Sequence, residues 1–308
     1  MVDNMFDIAY WRCVIKRTNL CPDKDIKLFF YNSQGRRKQL DVRSRTPLRY
    51  AGWDEHKKNV LIIHGFNSTE RNQPMSLIRD AYLRRGDYNV FTIDWETIGF
   101  FPCYLSSLSN TRLVAQCSAQ FYSYLTSMGV RAQKTVCVGH SLGAHICGMM
   151  NNHLSQRMHK IIGLDPARPL VRQYGGRAFR LTKDDANVVQ IIHTNAGLLG
   201  DLPIGGHVDF CVNGGHMQPE CRREGRRIRQ ARCSHFMSGC YFSAFIGDGR
   251  EYLAAPCTKD CRKITNLEKY SIPLGEHTPE TLVQLNTIIM RDNVRKLFGG
   301  NVLQGCRT

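Results

Sequence analysis

Short apolar runs punctuate this chain, each followed by a polar or turn-forming break. Asn59-Val60-Leu61-Ile62-Ile63 ends at His64-Gly65, and Asn89-Val90-Phe91-Thr92-Ile93 ends at Asp94-Trp95. Lys134-Thr135-Val136-Cys137-Val138 ends at Gly139-His140, Lys160-Ile161-Ile162-Gly163-Leu164 at Asp165-Pro166, and Val188-Val189-Gln190-Ile191-Ile192 at His193. Short β-prone runs without polar alternation read as strands buried on both faces. A further strand is expected over 26–31. Residues 75–85 read as a helix. Asn110-Thr111 reads as the cap of another, whose apolar stripe is Leu113, Cys117, Phe121, Tyr124 and Met128. Strands alternating with helices predict an α/β fold with a largely parallel sheet covered on both sides. No linker rich in Pro, Gly or Ser divides the 308 residues, so one main domain is expected.

Composition changes this picture in two ways. The formal net charge is +16, which suits a polyanionic partner such as an anionic lipid surface or a sulfated glycan. No zinc-finger, basic-zipper or RNA-binding signature accompanies the charge, so nucleic acid is not expected as a partner. Thirteen cysteines are present, six of them between 211 and 261. None form the C-x2-C pairs of a zinc site, so disulfides in an oxidising compartment are expected. An odd count leaves at least one thiol over, and Cys137 and Cys147 are the candidates for buried free cysteines. Secretion is expected from the cysteines, although Met1 to Asp7 lacks the basic start and apolar stretch of a signal peptide. A start upstream of Met1 reconciles the two. No apolar run is long enough for a membrane-spanning helix.

Gly139-His140-Ser141-Leu142-Gly143 matches G-x-S-x-G, with a strand before it and a helix after it. That is the frame in which a serine stands exposed on a strained strand-to-helix turn. A serine needs a base near neutral pH, and the base needs an orienting acid. Asp165 closes a later strand, and Pro166 biases it toward extended backbone. Its competing reading is a simple Asp-Pro turn. His64, His140, His145, His193, His207 and His235 compete for the base. His235, downstream in Cys233-Ser234-His235, is favoured by position alone. Two backbone N–H groups are expected to face a developing oxyanion: Leu142 after the serine, and Phe66 in His64-Gly65-Phe66-Asn67 after an early strand. No metal or other cofactor is expected.

Several longer strings then carry a family resemblance. Leu61-Ile62-Ile63-His64-Gly65-Phe66, Gly139 to His145, Gly163-Leu164-Asp165-Pro166-Ala167 and His193-Thr194-Asn195-Ala196-Gly197 resemble the pancreatic-lipase-type family. So do Gly206-His207-Val208-Asp209-Phe210, Asn213-Gly214-Gly215 and Cys233-Ser234-His235, all in one order. The wording is most similar to the insect lipase and phospholipase A1 branch. The resemblance implies an α/β-hydrolase fold, with a mostly parallel central sheet and helices on both faces. It also implies Ser141 as nucleophile, Asp165 as acid and His235 as base. It divides the chain into an N-terminal extension over 1–20, a lipase domain over 21–282 and an atypical tail over 283–308. There is no length left for a C-terminal β-sandwich, so no colipase is expected. Arg177 and Thr182 stand where vertebrate members carry acids for calcium, and only Asp185 remains. Expected disulfides are Cys221–Cys233, Cys257–Cys261, Cys21–Cys103 and Cys211–Cys240.

Two loops wall the pocket in this family, and the resemblance implies that both are short here. The lid between Cys221 and Cys233 has 11 residues, and so does the segment between Asn195 and His207. Short loops are a mark of the phospholipase A1 members. The lid carries Arg222, Arg223, Arg226, Arg227, Arg229 and Arg232 against a lone Glu224, with Ile228 and Ala231 as its apolar side chains. That is a polar, basic strip rather than an interfacial amphipathic helix. Its plainer reading is a solvated charge run or a protease-sensitive loop. The expected activity is hydrolysis of the sn-1 acyl ester of phospholipids at a lipid surface, an anionic one included. A triacylglycerol or general carboxylic-ester lipase is the enzymatic alternative. An inactive lipid-binding relative is the alternative outside catalysis.

Overall fold

The computed structural model describes residues 13–43, 48–202, 205–247, 253–256, 272–275, 278–279 and 288–292. Its strands are β1 (Lys27–Tyr31), β2 (Arg37–Leu40), β3 (Lys58–Ile63), β4 (Tyr88–Asp94), β5 (Thr135–His140), β6 (Met158–Leu164), β7 (Ala186–His193), β8 (Val208–Val212), β9 (Leu253–Pro256), β10 (Ile272–Pro273) and β11 (Ile288–Asp292). Its α-helices are α1 (Met75–Arg85), α2 (Tyr104–Ser127), α3 (Leu142–Met150), α4 (Val171–Tyr174) and α5 (Arg227–Gly247). One sheet runs β10-β9-β11-β8-β7-β6-β5-β3-β4-β1-β2. Strands β4, β3, β5, β6, β7, β8 and β11 are mutually parallel, while β1 and β2 at one edge and β9 and β10 at the other are each added by antiparallel pairing with the preceding strand of the sheet. This is the mostly parallel, doubly covered sheet of an α/β hydrolase.

The apolar runs become central strands because consecutive side chains leave a strand on opposite faces. Val60 and Ile62 of β3, Val136 and Val138 of β5, and Ile162 of β6 join Ile78 and Tyr82 of α1 and Phe242 and Phe245 of α5 in one core. Leu61, Ile63, Cys137 and Ile161 point the other way, into a second core with Leu108 and Phe121 of α2 and Ile146 of α3. A run with no polar alternation fits only a sheet with helices on both sides.

Helix α2 starts six residues before the expected cap. Asn110 is not a cap but a buried clamp. Its side chain donates to the Val14 and Ile98 carbonyls and accepts from the Lys16 N–H. The buried face is Leu113, Val114, Ala115, Phe121, Tyr122 and Leu125, whereas Met128 lies past the helix and is exposed.

The same arm corrects an expected disulfide. Cys21 does not bond Cys103. Cys13 bonds Cys103 at a Cα separation of 5.2 Å, and Cys21 bonds Cys117 at 5.3 Å. Eight residues of extended arm reach roughly 26 Å. The 14 residues from Cys103 to Cys117 rise about 21 Å along a helix. The arm therefore lies along α2 and meets its two cysteines in turn, so the described part of the N-terminal extension is stapled to the domain. Cys137 and Cys147, expected as free thiols, are bonded to each other, 6.0 Å apart at Cα across β5 and α3. Cys221 is bonded to Cys233. Cys211 and Cys240 are each disulfide-bonded. The expected Cys257–Cys261 bridge lies outside the described residues. Within the segment expected as a tail, Ile288–Asp292 is not a loose end but the strand between β8 and β9.

One buried ion pair ties β7 to β8. His193 Nε2 lies 2.7 Å from Asp209 Oδ1, with both side chains fully buried. The Gly205 and Gly206 N–H groups donate to the same carboxylate at 3.2 and 3.0 Å. Burial pulls the imidazole pKa down, but the hydrogen bond and charge of Asp209 outweigh it and raise it above the ordinary value of 6.5. A raised histidine pKa stabilises the fold below the unfolded pKa, and that stabilisation fades as pH climbs through the folded one. Urea unfolding at pH 6 and pH 9 tests the pair. Stability is expected to fall with rising pH in the native sequence. Asp209→Asn is expected to flatten that dependence and to cost about 3–5 kcal/mol at pH 6.

Candidate active site

The segments at the strands' carboxyl ends supply the expected nucleophile, acid and oxyanion donors, while His235 and most of the lid arginines come from α5 and the turn before it. Ser141 follows β5 with φ 57° and ψ −120°, a left-handed backbone that a serine adopts only under constraint. The constraint is packing around it. The Ser141 N–H donates to the Leu164 carbonyl at 3.0 Å, and the Ala167 N–H donates back to the Ser141 carbonyl at 3.2 Å. Gly65 lies so close that a Cβ there would stand 2.6 Å from the Ser141 Cβ. Gly143, in the first turn of α3, packs against β3, where a Cβ would meet the Ile63 carbonyl oxygen at 2.2 Å. Both glycines are therefore space requirements of the turn.

Asp165 directly follows β6 and is fully buried. Its Oδ2 lies 2.5 Å from His235 Nδ1. Its Oδ1 accepts the Thr194 and Asn195 backbone N–H groups at 2.9 and 3.0 Å. A buried carboxyl without partners would be very costly, so these donors satisfy it and hold it aimed at the imidazole. His235 sits in the third turn of α5, largely buried. Its ring lies 4.7 Å from that of His140, the residue before Ser141, and its carbonyl is 3.1 Å from His140 Nε2. Burial first, and the neighbouring His235 second, push the His140 pKa down to about 3. His140 is thus neutral and donates to the His235 carbonyl, fastening α5 over the elbow.

Leu142 opens α3, so its N–H precedes that helix's own ladder. Phe66 lies just past β3, and its ring meets that of Tyr104 edge-on at 5.1 Å. His64, weighed as a base from sequence, does different work. Its Nε2 lies 3.0 Å from the Trp95 N–H and 3.2 Å from Asp94 Oδ1, and its Nδ1 lies 2.8 Å from the Gly65 carbonyl. That carbonyl shares a planar peptide with the Phe66 N–H, so the ring sets where the N–H points. His145 Nε2 bonds the Ala167 carbonyl at 2.7 Å, and His207 Nδ1 accepts the Val189 N–H at 3.0 Å, so both serve the scaffold.

Further anchors were not legible as such. Glu70, almost fully buried, receives Tyr31 Oη at 2.5 Å and Arg37 Nε at 3.0 Å, which pins the loop after Phe66 to β1 and β2. Nothing but a lone Glu in a polar stretch announced it. The Thr194 and Asn195 amides left only the trace of short polar residues after a strand. The lid is half helix: Pro219–Arg223 forms a turn of 3₁₀ helix, and Arg227 to Arg232 are the first turns of α5. All six lid arginines are solvent-exposed and Ala231 is buried. At the position compared with a calcium site, Asp185 caps Thr182, and burial pushes its carboxyl up to about 6. Among the described residues no group of three or more His, Cys, Asp or Glu could hold a metal.

A buried carboxylate, a histidine bonded to it and a strained serine under that histidine's helix can together activate a hydroxyl for acyl transfer. The comparisons with known proteins bear on the same residues. Residues 12–263 match the model of the family described as Lipase. The chain is 32% identical over 272 residues to phospholipase A1 2 of Vespa affinis, covering 82% of this chain and 79% of that one. It is 33% identical over 205 residues to lipase member H of Rattus norvegicus, covering 65% and 45%. Phospholipase A1 member A of Bos taurus is 31% identical over 223 residues, covering 70% and 48%. The chain thus spans about half the length of these two mammalian relatives and most of the wasp one. A family match running from the arm cysteines past the histidine helix encloses every residue of the site, and the chain belongs to the lipase family.

Proposed function

We propose that this chain is a secreted carboxylic ester hydrolase that cleaves the sn-1 acyl ester of phospholipids at a lipid surface. The observation that carries the reading is the buried Asp165–His235 hydrogen bond beside Ser141 at the elbow. Ser141 Oγ attacks the ester carbonyl while His235 Nε2 takes its proton. Asp165 holds the other ring nitrogen and stabilises the imidazolium. The Phe66 and Leu142 N–H groups receive the oxyanion. Collapse of the tetrahedral intermediate breaks the ester C–O bond, and His235 returns the proton to the lysophospholipid alcohol. Water, deprotonated by the same histidine, then releases the fatty acid.

Phospholipid is favoured over neutral oil by the lid, short and basic rather than apolar. The names of the wasp and bovine relatives point the same way. Contact with a lipid surface is supported by exposed apolar side chains. Phe101, Leu105, Leu170, Leu198, Leu202 and Ile228 are 41% to 62% exposed and lie on segments around the carboxyl edge of the sheet. Those segments are knitted together: Tyr104 Oη donates to the Pro169 carbonyl at 2.7 Å, and the Arg168 N–H donates to the Leu199 carbonyl at 2.8 Å. Arginines stand between the apolar groups, each adding about 1 kcal/mol of attraction near an anionic surface. The disulfides support an extracellular setting.

Recombinant protein is expected to release the sn-1 chain from position-labelled phosphatidylcholine and phosphatidylserine, and little from triolein. Release from triolein alone would overturn the phospholipid assignment, and release from no substrate would favour a lipid-binding role. Ser141→Ala is expected to lower kcat by roughly 10⁴-fold or more, and Asp165→Asn by roughly 10⁴-fold, in single-turnover assays. Replacing Leu105 and Leu170 together by Glu is expected to lower vesicle hydrolysis about tenfold or more while a water-soluble short-chain ester is cleaved as before. Equal loss on both substrates would argue against a surface-docking ring.

A further inference from the structure

A cavity of about 480 Å³ lies between the loop after Phe66 and the first turns of α5. Its walls include Asn72, Gln73, Glu224, Arg229, Arg232 and Phe236. Ser141 is not among them, yet the cavity abuts the site from both sides. Asn67, next to the proposed oxyanion donor Phe66, lines one wall. Phe236, next to His235, lines the other, with its ring 5.6 Å from that of His140.

The charged groups on the α5 side follow from helix geometry. Arg229, Arg232 and Phe236 are spaced i, i+3 and i+7, which puts them on one face. Arg232 also precedes His235 by three residues, a rise of about 4.5 Å along the axis. Among the described residues neither guanidinium is paired with a carboxylate, whereas Arg172 and Arg177 are each paired with an aspartate. Glu224 is the one carboxylate on the wall, so the cavity keeps a net positive charge with side-chain amides facing it. This is the donor set for a phosphate oxyanion: planar forks that bind it bidentately, supported by neutral donors.

The reach matches. In a glycerophospholipid the sn-1 carbonyl carbon and the phosphorus are joined by about six single bonds, roughly 7 Å when extended. An ester held at Ser141 under His235 leaves its phosphate roughly 7 Å away, on the scale of the about 4.5 Å rise from His235 back to Arg232. We propose that this cavity is the phosphate subsite of the enzyme, with Arg229 and Arg232 binding the phosphodiester of the substrate undergoing sn-1 cleavage. The proposal rests on the phospholipase reading above. It gives two of the six lid arginines a role in recognising a single lipid molecule, apart from any attraction to a membrane.

The test removes the membrane. Dihexanoyl-phosphatidylcholine below its micelle concentration and dihexanoylglycerol are compared as dissolved monomers. Arg229→Gln/Arg232→Gln is expected to lower the ratio of kcat/KM for the phospholipid over the neutral diester about tenfold, mainly through KM. Arg229→Lys/Arg232→Lys recovers part of it. Equal loss on both substrates, or an unmoved ratio, overturns the subsite. The same change of ratio in Arg222→Gln/Arg223→Gln, outside the cavity, assigns the effect to overall lid charge and also overturns it. Inorganic phosphate at about 10 mM is expected to leave the native KM for the phospholipid unchanged, since it lacks the tether that raises effective concentration. Strong inhibition that vanishes in the double Gln variant would reassign the cavity to a free anion. A native protein that cleaves the diester but not the phospholipid removes the phospholipase reading itself, and that outcome differs from every other.

Discussion

The Asp165 carboxylate is the group around which the rest of the site is arranged. It is a strongly polar group buried away from solvent, and such a group is tolerated only where donors converge on it. Two come from the backbone after β7 and one from a helix that starts at the lid. Those three attachments bring together segments that are about 30 and 70 residues further along the chain. The β7–β8 connection is held in turn by Asp209, which bonds His193 and two glycine amides. The Asp165 carboxylate thus meets His235 through one oxygen and the backbone after β7 through the other.

Strain at Ser141 is the complementary constraint. The left-handed residue persists because β3, β5 and β6 pack too closely to let the turn relax, with glycines at the points of contact. The Cys137–Cys147 bridge closes the strand onto the helix on either side of that turn. His140 fastens the elbow to α5, while His64 aims the peptide that carries the Phe66 N–H. Two histidines that looked like rival bases are instead bonded into the scaffold around Ser141 and Phe66. Burial holds His140 neutral, which suits a donor and not a proton shuttle.

Much of this was legible in the chain. Unbroken apolar runs specify strands buried on both faces, since each run must supply two cores at once. Ser141, Asp165, Phe66 and Leu142 stood out as candidates because each sits at or just past the end of such a run, and a strand's carboxyl end is where a parallel sheet exposes backbone. The elbow pattern added a steric requirement that few sequences meet by accident. His235 was harder. It follows no strand and lies in a helix whose exposed face is a row of arginines, so local pattern gave position but no role.

Tertiary structure decided what depends on distance between segments remote in sequence. The N-terminal arm and α2 could be matched cysteine to cysteine only after their directions were known, because an extended arm and a helix advance at different rates per residue. Asn110 changed from cap to clamp for the same reason: its partners lie at Val14, Lys16 and Ile98. Glu70 became an anchor only when β1 and β2 folded against its loop. Ile288–Asp292 became a strand because a free parallel edge at β8 offered it hydrogen bonds. The sequence by itself determined the sheet, the elbow and the kinds of group around it, since these follow from local periodicity and sterics. Which histidine meets the acid, which arginines face a cavity and which thiols pair were decided by the fold, because each is a contact between surfaces that chain order does not bring together.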